Sequence, residues 1–451
     1  MSFINTSVFS IYKIGPGPSS SHTIGPMTAG GCFRAELERF AGGGERRIMV
    51  YLYGSLSATG RGHGSGAAVV AGLLGESAES CAPETLKDIA AEPERVYNIE
   101  LAGTIFRCSL ADVVFAGEMP GAAHPNALDF VLLGSEGELF RQRYYSIGGG
   151  EIRLEGGAVR SAPEVRYKFA NIRQFRQVLA REGVSAVEVL LANEMAIGGC
   201  GESEVWQRLA QVRERMRDSV RRGLAAGGVL PGKIGLERKA RDIMESAASS
   251  EFEYERLGLM LNAFSLAAAE ENAAGNRVVT APTSGSSGVL PGVISWLEDC
   301  RKLPQERVLE GLLVGGLFGL VSRHNGSISG AEVGCQGEIG VASAMGAALM
   351  AQARGEAFGR VENAAEIALE HHLGMTCDPV GGYVQIPCIE RNAVAAATAV
   401  NAYLLSGGNP NKHKLDFDAV VEAMLETGRD MNSLYKETSG GGLAVCPLRC
   451  R

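Results

Sequence analysis

The sequence contains no apolar run long enough to cross a bilayer. The longest, Gly311 to Val321 between Glu310 and Arg323, falls far short of the roughly 20 residues a spanning helix needs, and it reads as a buried helix. The opening residues Met1-Ser2-Phe3-Ile4-Asn5-Thr6 lack the basic flank and apolar stretch of a secretory signal, which favours the cytoplasm. An excess of basic charge is also missing: 43 Lys and Arg against 51 Asp and Glu give a formal net charge of −8. That balance argues against a nucleic-acid partner, which calls for a basic surface. The local exception, Arg213 to Arg222, carries Trp206, Leu209, Val212, Met216 and Val220 at helical spacing and reads as a solvated helix face. No fixed-period repeat supports a solenoid.

What is present is ordinary globular composition, 45% hydrophobic and 21% charged, in a chain of 451 residues. That length exceeds the size at which a single core stops growing, so two domains are the starting expectation. Up to about residue 165 the texture is mixed. Short alternating strands (Arg47 to Tyr53, Val96 to Leu101, Ala127 to Leu133) are broken by glycine-rich turns. After Pro163 come long segments rich in Ala, Leu and Glu with a period near 3.6: Ile172 to Arg181, Val205 to Leu224, Glu237 to Ala248 and Phe252 to Ala274. The fold class expected is α+β. A mixed α/β unit over 1–165 precedes a mainly helical unit over 166–451, with the boundary between Ser161 and Asn171.

Glycine is frequent, at 60 residues, and in the second half much of it lies beside Ser, Thr, Asn and Cys. The loops Ala281 to Gly288 and His324 to Gly330 let backbone amides approach a ligand or an anion, with plain helix connections as the alternative.

Ten cysteines in a reducing compartment leave packing, catalysis or metal binding as roles. Cys335 directly precedes the small-residue helical run Ile339 to Ala353. Cys388 follows Pro387 at the start of Ile389 to Leu405. Cys377 lies just after the helical segment Ala364 to Leu373. Exposed amides at helix N-termini favour anionic sulfur at Cys335 and Cys388. All three fall at ends of consecutive helices, where their side chains can converge. Their spacing matches neither a ferredoxin pattern nor a paired C-x2-C zinc site, so packing remains the alternative for each. Three thiolates on a cluster would leave one iron open as a Lewis acid. Cys446 and Cys450 follow three glycines in the terminal segment, which is either an incidental end or a source of a displaceable fourth ligand. Cys32, Cys81, Cys108, Cys200 and Cys300 read as packing or surface thiols.

Three loop histidines are candidates for proton transfer near neutral pH. His22 sits in Gly17 to Pro26, a loop too rich in Gly, Pro and Ser for a helix interior. His63 sits in Gly60 to Gly66, between the strand Ile48 to Gly54 and a helix-like Ala67 to Leu74. His124 sits in Pro120 to Asn126. Composition does not choose among them. The pattern Gly62-x-Gly64-x-x-Ala67 is a weak dinucleotide fingerprint, discounted because no sustained alternation of strands and helices surrounds it. His371-His372, within a helical segment, face different ways and do not make a metal pair.

Ser19 to Met27, Gly60 to Gly66, Val279 to Thr283, Ser329 to Gly337, Glu370 to Asp378 and Gln385 to Asn392 together resemble the motifs of the iron–sulfur L-serine dehydratases, in the form that joins both parts in one chain. The resemblance runs from end to end. It implies conversion of L-serine to pyruvate and ammonia on a [4Fe–4S] cluster and a homodimer, while the charge balance and the short apolar runs already argue against nucleic acid or membrane as partner. It implies Cys335, Cys377 and Cys388 as cluster ligands, with a tail cysteine capping the fourth iron. Cys450 fits that role better than Cys446 by its distance from the glycine run and from the end, but the presence of two tail cysteines and of Arg451 after them leaves the choice between the two open. For that chemistry His63 is taken as the base, with His22 orienting the substrate, His124 assisting, and Ser20, Ser21, Thr23, Thr283 and Ser284 as substrate-side hydroxyls.

Two rivals stand beside this reading. A pyridoxal-phosphate enzyme would need a Schiff-base lysine, for which only Lys13 has a suggestive setting. A non-catalytic sensor would bind serine and signal through the N-terminal part.

Overall fold

The computed structural model describes residues 3–42, 44–157, 163–408 and 414–447. Among the described residues, nine strands form two sheets: β1 (Ile14–Pro16), β2 (Glu45–Leu52), β3 (Tyr97–Leu101), β4 (Thr104–Cys108), β5 (Val113–Phe115), β6 (Ala127–Gly134), β7 (Gly137–Ser146), β8 (Ile152–Leu154) and β9 (Arg277–Val279). The larger sheet runs β3-β4-β2-β6-β7-β8, with β5 also paired to β2. It is mixed, since β2 is parallel to β4 and β5 while the other pairs are antiparallel.

Strand alternation builds its core. Ile48, Val50 and Leu52 of β2 and Leu128, Phe130 and Leu132 of β6 point to one face, where helices Gly25–Glu36 and Ser65–Leu73 cover them with Met27, Phe33, Val69 and Leu73. On the other face Asp129 is buried, and Arg143 Nε donates to it at 2.6 Å.

Past residue 163 the chain is helical apart from β9, giving the α+β class. Helices Gln305–Asn325 and Ile339–Ala353 are apolar nearly all round and occupy the centre, as expected for helices without a solvent face. Gly311 lets them approach closely, because a Cβ there would lie 2.5 Å from the Leu349 carbonyl oxygen. Periodic segments become helices Ile172–Glu182, Glu202–Ala225, Ala240–Ser249 and Glu253–Ala273. Their ends follow local chemistry. Asn171 accepts the Gln174 amide, Ser185 and Glu188 form a reciprocal cap, and Gly183 and Gly199 close two helices in the left-handed conformation.

Several local expectations give way to tertiary structure. The basic stretch of helix Glu202–Ala225 is not a freely solvated face: Arg213 and Arg217 pair with Glu298 and Asp299 at 2.6 and 2.7 Å, because the turn Trp296–Cys300 docks against them. The segment expected to run helically to Leu373 ends at Glu370. There His371 and His372 fold Nδ1 back onto the carbonyls of Ile367 and Ala368, at 2.8 and 2.6 Å, before Gly374 turns the chain. The N-terminus does not belong to the sheet at all. Ile4, Val8, Ile11 and Tyr12 are buried in the helical core, Tyr12 Oη donates to the Leu312 carbonyl at 2.8 Å, and β1 pairs antiparallel with β9. These contacts stitch the N-terminal part to the helical part beside the loops that carry His22 and Thr283. Among the described residues, no helix is long and apolar enough to cross a membrane.

Candidate active site

A narrow cavity of about 20 Å³ opens where the two parts meet. Its wall includes His63 and Ser19 from the N-terminal part, Cys335, Cys377 and Cys388 from the helical part, and two carboxylates, Glu338 and Glu437.

The thiol side is built from helix ends. Cys335 lies in the tight turn Gly334–Gln336 just before helix Ile339–Ala353, and Cys388 is the first residue of helix Cys388–Leu405. Cys377 follows helix Phe358–Glu370 in an extended segment that the chain's last part clamps: its amide donates to the Tyr435 carbonyl, and the Glu437 amide donates to the Cys377 carbonyl, both at 2.7 Å. Glu338 Oε2 lies 3.8 Å from the sulfurs of both Cys335 and Cys377, and one donor atom from each of these three residues lies within 4.8 Å of the others. Gly330 is required here, since a Cβ would stand 2.6 Å from Glu338 Oε2 and 3.2 Å from Cys377 Sγ.

The electrostatics of this side favour protonated groups. Sharing a hydrogen bond with Cys335, then burial, pushes the Cys377 thiol well up; burial and the charge of Cys335 do the same to Cys388. Glu338 is raised to about 7 by burial and Glu437, and Glu437 to about 8 by burial and Cys335. Burial works against the Arg391 guanidinium, but the charges of the three cysteines and Asp378 outweigh it and hold it cationic. Arg391 Nη1 donates to the Thr376 carbonyl at 2.7 Å, beside the Cys377 loop.

The histidine side comes from two turns. Residues Ser20–Ile24 wind into a π-helical turn that runs directly into helix Gly25–Glu36, with the Gly25 amide reaching the Ser20 carbonyl. The loop expected here is thus a wound turn. Ser19 caps it by accepting the His22 amide at 3.2 Å, and such turns concentrate at functional sites. His22 is fully buried, with Ser21 Oγ 2.9 Å from Nδ1 and Ser55 Oγ 3.1 Å from Nε2. The His63 turn follows the short helix Ser55–Thr59 rather than the strand directly, a further departure from the dinucleotide pattern. His63 packs against His22, with ring centroids 4.6 Å apart and planes tilted by 53°, and both of its ring nitrogens are buried without a hydrogen-bond partner. Burial lowers His22 to about 4. Burial and then His22 hold His63 well below the ordinary imidazole range, so both rings are neutral near pH 7.

The remaining sequence candidates serve around these two walls. Ser20 Oγ accepts the Ser284 amide at 3.4 Å, joining the loops of the two parts, and Thr23 Oγ1 donates to the His63 carbonyl at 2.9 Å. Thr283 and Ser286 cap the turn Ser284–Ser286, and Ser284 Oγ is buried without a partner. Among the described lining residues the histidine is His63; His22 packs against it, and off the cavity stands His124. Its Nδ1 accepts the Asn126 amide at 3.1 Å and its Nε2 lies 3.8 Å from Glu332 Oε1. Cys446 is exposed, its thiol 3.6 Å from the Gly442 carbonyl, while Cys450 lies outside the described residues. Cys81 and Cys108 are buried in the core that packs on the sheet.

Sequence reasoning passed over Glu338, Glu437, Arg391 and Ser55. A signal for Glu338 exists in the C-x2-E spacing after Cys335. Glu437 has none, because its neighbour Cys377 lies 60 positions away and only the bridge between Cys377 and Lys436 joins them.

The comparisons with known proteins bear on the same two parts. Residues 7–156 match the family described as the serine dehydratase beta chain, and residues 181–444 the serine dehydratase alpha chain. The chain is 41% identical to L-serine dehydratase 2 of Escherichia coli (strain K12) over 98% of this chain and 99% of that protein. An L-serine dehydratase of Streptomyces coelicolor is 39% identical, and one of Helicobacter pylori 37%, each over 98% of this chain and 99% of the relative. With both halves matched in order and relatives aligned over nearly their full length, this chain belongs to the iron–sulfur L-serine dehydratase family in its single-chain form.

Proposed function

We propose that this chain, acting as an L-serine ammonia-lyase that yields pyruvate and ammonia, holds a [4Fe–4S] cluster on Cys335, Cys377 and Cys388 and uses His63 as its base. The observation that carries the reading is one cavity lined by three buried thiols and by His63, a neutral imidazole with both nitrogens unpartnered. The donors suit such a group: thiolate is the usual ligand of iron–sulfur clusters, and buried thiols whose protons are hard to lose give them up to a metal. When bound, the cluster supplies a Lewis acid, since three protein ligands leave one iron open to polarise the β-hydroxyl of serine.

The protein's own groups do the rest. His63 accepts the proton from Cα, and its uncharged state at neutral pH keeps it ready. Thr23 fixes the His63 backbone, and His22, held by Ser21 and Ser55, orients the substrate with Ser20, Thr283 and Ser284 around it. His124 assists from behind through its contact with Glu332. Loss of the Cα proton and the β-hydroxyl leaves 2-aminoacrylate, which water hydrolyses to pyruvate and ammonia. In this scheme residues 1–165 form the substrate-side unit and residues 166–451 the cluster-bearing unit. The cavity thiols must stay reduced, which supports a cytoplasmic location. Exposed Phe252, Tyr254, Val394, Leu404 and Leu405 on neighbouring helical segments support a homodimer, checked by light scattering of the protein and of Leu404→Lys.

Anaerobic purification followed by iron, sulfide and pyruvate assays on one sample tests the whole reading. Bound iron and sulfide with pyruvate from L-serine is the expected result. A sharp cofactor band lost on borohydride would favour the pyridoxal rival, although no lysine is among the described residues lining the cavity. Reconstituted protein that forms no pyruvate would favour a sensor.

A further inference from the structure

Glu437 has no role in the scheme above, yet its carboxylate enters the cavity from a segment held on both sides. The ligand loop clamps its amide through the Cys377 carbonyl, and Ser55 Oγ, from the N-terminal part, donates to its carbonyl at 2.8 Å. Its φ of 58° lies in the left-handed region, where a residue with a Cβ and a long side chain is disfavoured. Glycine or asparagine would adopt that conformation more readily, so the position asks for what the glutamate side chain offers.

That side chain is 7% exposed, and its two oxygens differ. Oε1 stands 3.4 Å from His22 Nδ1, whereas Oε2 is buried with no hydrogen-bond partner. A buried carboxylate oxygen without a donor is costly, and no lysine or arginine is among the described residues lining this cavity. The described lining residues supply no cationic donor here, so one brought by a bound molecule would complete Oε2 and hold the group ionised against the burial that otherwise favours its neutral form. Of the three polar groups of an amino acid such as serine, the carboxylate would be repelled here, and only the ammonium is a cationic donor. The other carboxylate, Glu338, sits between two cysteine sulfurs at 3.8 Å and so belongs to the thiol wall.

We propose that Glu437 Oε2 receives the α-ammonium group of the substrate, which makes Glu437 a specificity-determining residue for amino acids over hydroxy acids that lack this group. The inference rests on the L-serine reading given above. Ser55 and the Cys377 loop then act together: the same backbone that carries a cluster ligand sets the distance between the ammonium site and that ligand.

The test uses cluster-loaded protein handled without oxygen, with L-serine and 3-hydroxypropanoate as probes. The latter keeps the carboxylate and the β-hydroxyl and lacks the ammonium. Binding is read from the change each causes in the visible absorbance of the cluster, and turnover from KM and kcat for pyruvate formation. In Glu437→Gln, half-saturation and KM for L-serine should rise about 10- to 100-fold, the range for one charge-assisted hydrogen bond. Binding of 3-hydroxypropanoate and the iron content should stay at the parent level. Glu437→Asp keeps the charge but withdraws it, and should fall between. Unchanged L-serine binding in the Gln variant, or equal weakening of both probes, overturns the proposal. Loss of iron from both variants overturns it as well, since Glu437 would then support the cluster. Parent protein that carries iron and sulfide but makes no pyruvate sinks the functional reading itself. Parent protein that turns serine over while Glu437→Gln binds serine normally sinks only the assignment of Glu437.

Discussion

The thiol wall and the histidine wall of the cavity are buried to a similar degree, with Cys335, Cys377 and Cys388 at 3, 5 and 8% exposure against 0 and 1% for His22 and His63. Burial disfavours the charged form on both, but the consequences are opposite. A neutral imidazole is a competent base as it stands. A neutral thiol is a poor ligand until a metal displaces its proton. On the proposed reading the wall built from helix ends is completed by a bound metal, whereas the wall built from turns is finished by folding. Changes on the first should remove the cofactor, and changes on the second should leave it in place and alter proton transfer.

The largest effect is expected on the thiol side. Replacing Cys335, Cys377 or Cys388 singly with Ser should abolish both cluster retention and activity, because each would remove one of the three ligands proposed above. Iron and sulfide per chain after anaerobic reconstitution, measured beside pyruvate formation, check this. Full iron content and normal rate in any one variant would remove that residue from the ligand set.

His63→Ala should separate the walls most cleanly. Its cluster spectrum should match the parent while turnover falls about 10²–10⁴-fold, the range for losing a general base. Normal turnover in this variant, with loss in His22→Ala or His124→Ala, would move the base to another ring and leave the two-wall comparison standing.

Parts of these walls could be read from the sequence because they depend on local backbone. The small-residue run after Cys335 becomes helix Ile339–Ala353 with the predicted bounds, and Cys388 after Pro387 starts a helix as its setting suggests. Glycines around His63 mark its turn. Features set by docking were not legible. Ser55 and Glu437 meet across 382 positions, which no periodicity encodes. The π-helical turn at Ser20–Ile24 is hidden by a composition that favours loops, because its stability comes from the Ser19 cap and from Ser146 Oγ donating to the Ser21 carbonyl at 2.7 Å. Ile4 to Tyr12 precede the sheet in the chain and pack on helix Gln305–Asn325, where Gly316 leaves room for Val8 and Tyr12.

The histidine wall should also be visible in stability. His22 has a value near 4 in the folded chain against 6.5 for the ordinary side chain, set by burial, with Ser55 opposing and His124 adding to the shift. Its folded value is depressed, so below pH 6.5 the unfolded chain takes up a proton that the folded chain refuses. The stabilisation is fully present above pH 6.5 and drains as the pH falls toward 4. Between pH 7.5 and 5 this ring alone should account for about 2 kcal/mol. Glu437, His63 and His124 also titrate around it, so the informative quantity is a difference. Urea midpoints of the parent and of His22→Gln, at equal iron content, should converge as the pH is lowered. Parallel pH profiles would mean that His22 is charged in the fold or reachable by water.

The smallest expected effect belongs to the tail, which touches the thiol wall without being part of it. Asp378, next to Cys377, accepts the Leu443 amide at 2.7 Å and the Thr376 hydroxyl at 2.8 Å, so the Gly440 to Gly442 segment is tied beside the ligand loop. If a tail thiolate caps the open iron of a bound cluster, substrate and tail compete for one position. Exchange then shows as a lag before steady turnover, shortened by preincubation with L-serine. Cys446 is exposed and its thiol faces the Gly442 carbonyl, so Cys446→Ser should change little. Cys450→Ser should weaken the cap, shorten the lag and make the cluster more sensitive to oxygen. Pro447 stiffens the link between the two thiols, which keeps both from reaching one iron in the same pose. A lag altered by Cys446→Ser alone would assign the cap to Cys446. A lag and a resting spectrum unchanged in both single variants and in the double variant would mean that the tail is not a ligand, and that the thiol wall holds its cofactor through Cys335, Cys377 and Cys388 without help from the chain's end.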